Sequence, residues 1–447
     1  MSTRSELTTD ADQTTTAPIP VIRPSPVPRV QTGPAKAPTK RGRAARERVE
    51  RGSHYMHGLD LMRVICSIAV VYNHIANWAR LNDEGFLVSA AVEGGIIGPL
   101  HLNALAGFVG VGAFLLISGV VVTHVAFAEG PGQFLARRGV RLLPALWVAV
   151  LFAWVLVTTG LLSAAGDPDA NDLWKNALLL NFSLADSASV LGVTWTLVIQ
   201  VVFWTFLALC IPLLRRWPWL PPAIAACGIS LLLSYTHTIT GTGMHQLRMI
   251  ATFLPVAFIG LLVSLVRKRK LSPLAGIALG AVFFWLGVRA VLTWEDTPNG
   301  EGYARTLLLL VLVLLLCSKA NGRIARARWV KVFASRTYVI YLLHVPLAFP
   351  VLTLLTPVLG FGFAVLVALL SIAVGTELTY RFVEKPAADA YRRWEQRRKL
   401  AKSKRRAGMG GHNGPTVAPS AGDSHPPGTP GHPPTEHPPN GKPGASR

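Results

Sequence analysis

Ten stretches of this chain, each about 17–25 residues long and nearly free of charge, decide what it can fold into. They fall at about 58–78, 104–128, 140–162, 194–214, 219–237, 248–266, 273–294, 304–320, 337–357 and 359–383. A helix of that length matches the hydrocarbon thickness of a bilayer, where only structures that satisfy their own backbone hydrogen bonds persist. A weaker stretch, 174–190, is interrupted by Asn181, Ser183 and Asp186 and reads as an outer-face or re-entrant piece rather than a span. Composition agrees, since only 15% of the residues are charged against about 25% in soluble domains. The expected fold class is all-α: a polytopic integral membrane protein of about ten transmembrane helices, with disordered cytoplasmic tails.

Charge orients that frame. Lys+Arg number 44 and Asp+Glu 23, a net +21. With the N-terminus inside, the inner loops hold Arg137, Arg138 and Arg141, then Arg215 and Arg216, then Arg267 to Lys270, then Lys319, Arg323, Arg326, Arg328, Lys331 and Arg336. The outer loops hold Asp83, Glu84 and Glu93, then Asp167, Asp169 and Asp172, then Glu295, Asp296 and Glu301. This alternation follows the positive-inside rule and places a multi-pass protein in the cell membrane with both termini cytoplasmic. The basic clusters 40–51 and 392–406 abut spans, so they are assigned to anionic headgroups and not to nucleic acid. Residues 1–53 are Thr-, Pro- and Arg-rich with no apolar core of a leader peptide, and are expected to stay disordered. The membrane domain covers 54–390, and 391–447 is a basic, then Pro/Gly/His-rich disordered tail. Cys66, Cys210, Cys227 and Cys317 sit singly in apolar runs, which implies neither disulfide nor metal.

An ionisable residue inside a span is costly unless paired or wet, so each one marks a candidate site. The first span carries three. Asp60 and Arg63 are three residues apart and can pair. His74 lies eleven residues beyond Arg63, which at ~100° per residue brings it within ~20° of the same face and roughly 16 Å further along the axis. One helix face thus presents a permanent cation near one end and an imidazole deeper in. Snorkelling of Arg63 and simple packing of His74 are the bland alternatives. In the last span Glu377 has Arg381 as a partner one turn on. His101, His124, His237 and His245 carry no metal-ligand spacing, and no metal is expected.

The motifs in order make the chain recognisable. Gly58-Leu59-Asp60, then Arg63, ten residues and His74, resembles the R-x10-H signature of the membrane acyltransferase-3 family. Phe114 to Gly119 is similar to its F-F-x-x-S-G segment with Ser118, and Arg138 to Pro144, beside Arg137 and including Arg141, to its R-x-x-R-L-x-P loop. Trp195-Thr196-Leu197 resembles its W-[ST]-L block, Tyr338 to His344 its Y-x-x-Y-L-x-H helix, and Phe382 to Pro386, with Glu384, its F-x-E-x-P end. The resemblance covers about 57–386.

The resemblance implies an integral membrane O-acyltransferase that moves an acyl group, commonly acetyl, from acyl-CoA to a hydroxyl of an envelope glycan, glycolipid or glycosylated metabolite. Acyl-CoA is then a substrate, with no permanently bound cofactor. Guanidinium forks suit its phosphates, which points to Arg63, Arg137, Arg138 and Arg141 as donor-binding residues, although positive-inside topology alone explains their charge. His74 is the expected catalytic residue, because an alcohol needs a base when it attacks a thioester and imidazole titrates near neutrality. It either activates the hydroxyl directly or carries the acyl group itself. Asp60, Ser118, Trp195, Gln200, Tyr338, His344 and Glu384 are supporting positions. Ser118 with Gly119 also reads as a close-packing small pair between helices. The chain departs from the family pattern twice, with Gln200 where a Glu is usual and Trp204 where a Tyr is usual. Gln hydrogen-bonds but is neither base nor counter-charge. A transporter is the competing reading, against which no internal repeat is found. A lipid-linked glycosyltransferase would rest on Asp83 and Glu84, which equally form an ordinary turn.

Overall fold

The computed structural model describes residues 56–103, 106–184, 187–239, 244–293 and 302–409. The expected N-terminal tail 1–53, the chain beyond 409, and Asp186, Glu295, Asp296 and Glu301 lie outside the described residues. The long helices are α1 His57–Leu81, α2 Ala106–Ala126, α3 Pro131–Thr158, α4 Trp195–Leu209, α5 Leu220–Thr238, α6 Met244–Arg267, α7 Pro273–Thr293, α8 Tyr303–Lys319, α9 Thr337–Leu359, α10 Phe361–Thr379 and α11 Lys385–Met409. Among the described residues nine helices are long and apolar enough to cross a membrane. The remaining expected span is α8, whose 17 residues rise about 26 Å and sit at the short end of what spans hydrocarbon. The chain is a multi-pass, all-α membrane protein.

The ends of α1 follow from its sequence. Asp60 in the first turn and Arg80 in the last complement the helix dipole, and Asn82 Nδ2 donates to the Trp78 carbonyl (2.8 Å) past the C-terminus. Between them the helix packs on α2, α8 and α9. The most enclosed helix is α6, which is 72% buried along its apolar window, where α10 is 28% buried; α2, α4, α5 and α7 surround it. The α2–α6 crossing depends on two glycines. A Cβ on Gly119 would lie 2.1 Å from the Ala257 carbonyl oxygen, and one on Gly260 2.1 Å from that of Leu116. Backbones this close exclude any side chain, the usual way apolar helices associate where lipid offers no hydrophobic drive.

The stretch after α3 does not span. It holds one short helix, Asp172–Ala177, and an antiparallel bridge between Ala165 and Ser189. Two buried polar side chains organise it. Asp172 takes N–H donors from Asp169 (3.1 Å) and Ala188 (3.2 Å) and an ion pair from Lys175 (2.8 Å). Asn176 donates to the carbonyls of Asp172 and Ala188, both at 2.8 Å. The indole of Trp147 on α3 closes the loop against the Ala177 carbonyl (3.1 Å).

The end of the membrane domain differs from expectation. Pro386 does not stop the chain: a π-helical turn, Tyr380–Glu384, carries α10 straight into α11. The proline follows directly on this π turn, whose wider i→i+5 register lets the helix continue past a residue with no N–H to give. The basic opening of the expected C-terminal tail is therefore helical as far as Met409. Low hydropathy misleads here, because a run of Ala, Arg, Lys, Glu and Gln is polar yet has high helix propensity.

Candidate functional site

Five helices, α1, α2, α3, α4 and α9, enclose a cavity of about 950 Å³ including its open mouth. Of the residues singled out in the sequence, Arg63, Ser118, Arg138, Arg141, Gln200 and Tyr338 line it. Spans far apart in the chain thus converge on one pocket whose charged members are all cationic. Arg63 donates to Asp60 Oδ1 at 2.9 Å, and Asp60 is itself buried. This pairing is the i, i+3 contact its spacing predicts. Arg138 lies over the ring of Phe134, 5.0 Å from its centroid. Its Nε and Nη2 are buried with no hydrogen-bond partner, an expensive state for guanidinium donors.

Arg137 is placed elsewhere. One residue from Arg138 is ~100° around a helix, and this turns its side chain away from the pocket. It pairs with Glu129, and its Nη2 reaches both carboxylate oxygens of Glu395 on α11 at 2.6 Å. Gln133 and Lys399 also engage Glu395. Expected in an inner loop, these arginines instead lie on the first turns of α3, which are divided between a pocket, served by Arg138 and Arg141, and a seam with α11, served by Arg137.

The aromatic wall of the pocket is anchored by hydroxyls. Tyr338 donates to the Leu142 carbonyl (2.8 Å). The Tyr341 hydroxyl donates to the Val193 carbonyl (2.6 Å) and so accepts from Thr196 Oγ1 (2.6 Å). Both Thr196 and Tyr341 line the cavity. Each stood inside a quoted motif, yet only the fold shows them bonded across 145 residues. Trp204 Nε1 reaches Ser118 Oγ at 3.4 Å. Gln200, a neutral amide, lines the same cavity as the arginines. Trp195 lies outside the pocket and packs against Phe253, ring centroids 4.9 Å apart.

Further along α1, His74 meets His344 of α9 edge-on, with ring centroids 4.8 Å apart and planes at 64°; Phe349 flanks it at 6.4 Å. His344 is 1% exposed. Its Nδ1 lies 2.8 Å from the Tyr341 carbonyl and 3.1 Å from that of Ile340. Carbonyls only accept, so Nδ1 carries the proton. Nε2 is then the lone-pair nitrogen, and it is buried without a partner. The two histidines are 270 residues apart in sequence, and no spacing rule joins them.

The remaining candidates lie around this core. Glu384 is buried at the π turn with Oε2 unpartnered. Glu377 has the expected Arg381 and a second partner the sequence did not single out, Arg336, whose Nε approaches Oε2 at 2.7 Å. A second cavity, about 1280 Å³ and almost wholly apolar, opens on another side of α9 among Ile68, Ile75, Phe86, Ile340, Val365 and Ile372. Chemically, the first pocket presents fixed cations to an anion, and the seam between α1 and α9 presents paired imidazoles.

Comparison with known proteins bears on this arrangement. A family model described as an acyltransferase domain matches residues 56–379. Nodulation protein 10 of Rhizobium leguminosarum bv. viciae is 28% identical over 270 residues, 55% of this chain and 68% of that protein. No solved structure matches.

Proposed function

Because the chain belongs to the acyltransferase-3 family and is a multi-pass membrane enzyme transferring acyl groups other than amino-acyl groups, we propose that it takes its acyl group, acetyl in the simplest case, from acyl-CoA and delivers it to a hydroxyl of an envelope glycan, glycolipid or glycosylated metabolite. The observation that carries the donor assignment is Arg138, held in the pocket with two buried guanidinium nitrogens unpartnered. A phosphate or pyrophosphate entering beside Arg63 and Arg141 supplies the missing acceptors in charge-assisted bonds. The positive-inside rule puts these arginines at the cytoplasmic face of the cell membrane, where acyl-CoA is found, and both termini with them.

His74 then does the chemistry. It lies roughly 16 Å along α1 from Arg63, so a donor anchored by its phosphates must extend its arm to bring the thioester there. The imidazole takes the proton of the acceptor hydroxyl as the oxygen attacks the acyl carbon. Arg137 supports this indirectly, by holding α11 against the start of α3.

The test is donor kinetics in membranes carrying the full chain. Arg138→Gln removes the charge and most of the fork, and the KM for acetyl-CoA is expected to rise about 10- to 100-fold, as losing charged hydrogen bonds of ~1.5–3 kcal/mol requires. Native donor KM in that variant would overturn the assignment of the pocket.

A further inference from the structure

The arrangement around His74 leaves one atom unaccounted for. His344 is 1% exposed, its Nδ1–H is committed to backbone carbonyls of its own helix, and its Nε2 lone pair faces no donor. A buried acceptor left unmade is costly, and its aromatic neighbours include the ring of His74 at 4.8 Å. Of the two histidines His344 is the more deeply buried, so the substrate meets His74 while His344 stands behind it. A nucleophile's base is commonly oriented by a third group in this manner.

We propose that His344 is a positioning residue for acyl transfer, with Nε2 accepting an N–H of the neighbouring His74 ring once the substrate complex forms. The proposal rests on His74 being the base. Once closed, that bond holds His74 in the tautomer whose lone pair is turned to the acceptor hydroxyl. In the reaction the hydroxyl O–H bond breaks and its proton goes to that lone pair. The oxygen forms a C–O bond to the acyl carbon, the C–S bond breaks, and the departing thiolate takes the proton back. Between the two transfers His74 is an imidazolium, a stronger donor than neutral imidazole. The bond to His344 therefore tightens only as charge develops, which is the condition for an interaction to raise kcat. Edge contact without a hydrogen bond in the resting enzyme fits this order of events, since catalytic hydrogen bonds often close only in the complex.

Three substitutions at His344 separate this role from simple packing, with acetyl-CoA as donor and envelope extract as acceptor. His344→Phe keeps the ring and removes the acceptor. Its kcat is expected to fall about 100-fold, with the KM for acetyl-CoA within about two-fold of native. His344→Gln places an amide oxygen near the position of Nε2 and is expected to recover kcat to within about ten-fold of native. His344→Asn reaches only as far as Nδ1 and is expected not to recover it. Native kcat in the Phe variant, a loss confined to KM, or Asn restoring activity as well as Gln would each overturn the proposal. The last comparison holds even if the Phe variant fails to fold. His74→Ala, assayed in parallel, distinguishes the premise: full activity there would remove the base itself, whatever the His344 variants do.

Discussion

At the scale of single residues, the pocket separates groups that touch a substrate from groups that hold the walls. Ser118 illustrates the second kind. Its hydroxyl lies 3.4 Å from the Trp204 indole nitrogen, and the neighbouring Gly119 is pressed against α6. Among the described residues the partner of that hydroxyl is the Trp204 indole and not an imidazole, which a serine nucleophile requires as its base; His74 and His344 pair with each other instead. Ser118→Ala is therefore expected to leave kcat within about three-fold of native, against the 10²–10⁴-fold that removal of an acid–base group costs. A loss of a hundred-fold or more in steady-state transfer would instead make it a nucleophile. Several of these residues were legible in the sequence because local spacing defines them: the Asp60–Arg63 pair, the shared face of Arg63 and His74, and Glu377 with Arg381. The His74–His344 contact, the second partner of Glu377 and the turning of Arg137 toward Glu395 were not. Each depends on which helices are neighbours in the bundle, and hydropathy does not encode that.

At the scale of elements, backbone approach and loop electrostatics make separable predictions. Gly260→Ala drives a methyl into the Leu116 carbonyl, forcing α2 and α6 apart. Overpacking of this kind costs about 1–3 kcal/mol and is expected to lower the thermal midpoint in detergent. Gly280→Ala, on α7 with nothing within 4 Å of the added atom, is expected to be neutral or to stabilise by up to ~1 kcal/mol through helix propensity. Equal midpoints for the two variants would contradict the crossing as described. In the loop after α3, burial pushes the Asp172 carboxyl up, but Lys175 and the N–H groups of Asp169 and Ala188 outweigh it and hold it below its usual value. A depressed carboxyl contributes stability that is complete above the unfolded pKa, about 3.9, and is lost as pH falls through the folded value. Hydrogen exchange of residues 165–190 is thus expected to be flat from pH 7 to about 5, after correction for intrinsic rates, and to lose protection below about 4. Asp172→Asn should abolish that acid step, and an unchanged step in the variant would show that another group carries it. The long helices were readable because an apolar run of fixed length has one solution in a bilayer. The helix α11 was not, because it is polar on most sides and its anchor, Glu395 to Arg137, spans 258 residues.

At the scale of the whole molecule, the fold joins a cationic pocket at one level to a histidine pair at another, on helices that sequence order keeps far apart. Under the proposed function, the alternating charge of the loops gives that axis a direction across the membrane, with donor entering at the basic face and acceptor meeting His74. Acyl transfer as proposed passes through His74, so the most direct test is the acyl content of envelope lipids and glycans. Mass spectrometry would compare a strain lacking the gene with the same strain given the native chain or His74→Ala. One acylated species is expected to be lost on deletion, to return with the native chain, and not to return with a His74→Ala protein present at native levels in the membrane. Full restoration by His74→Ala would contradict the assignment of His74 as the base.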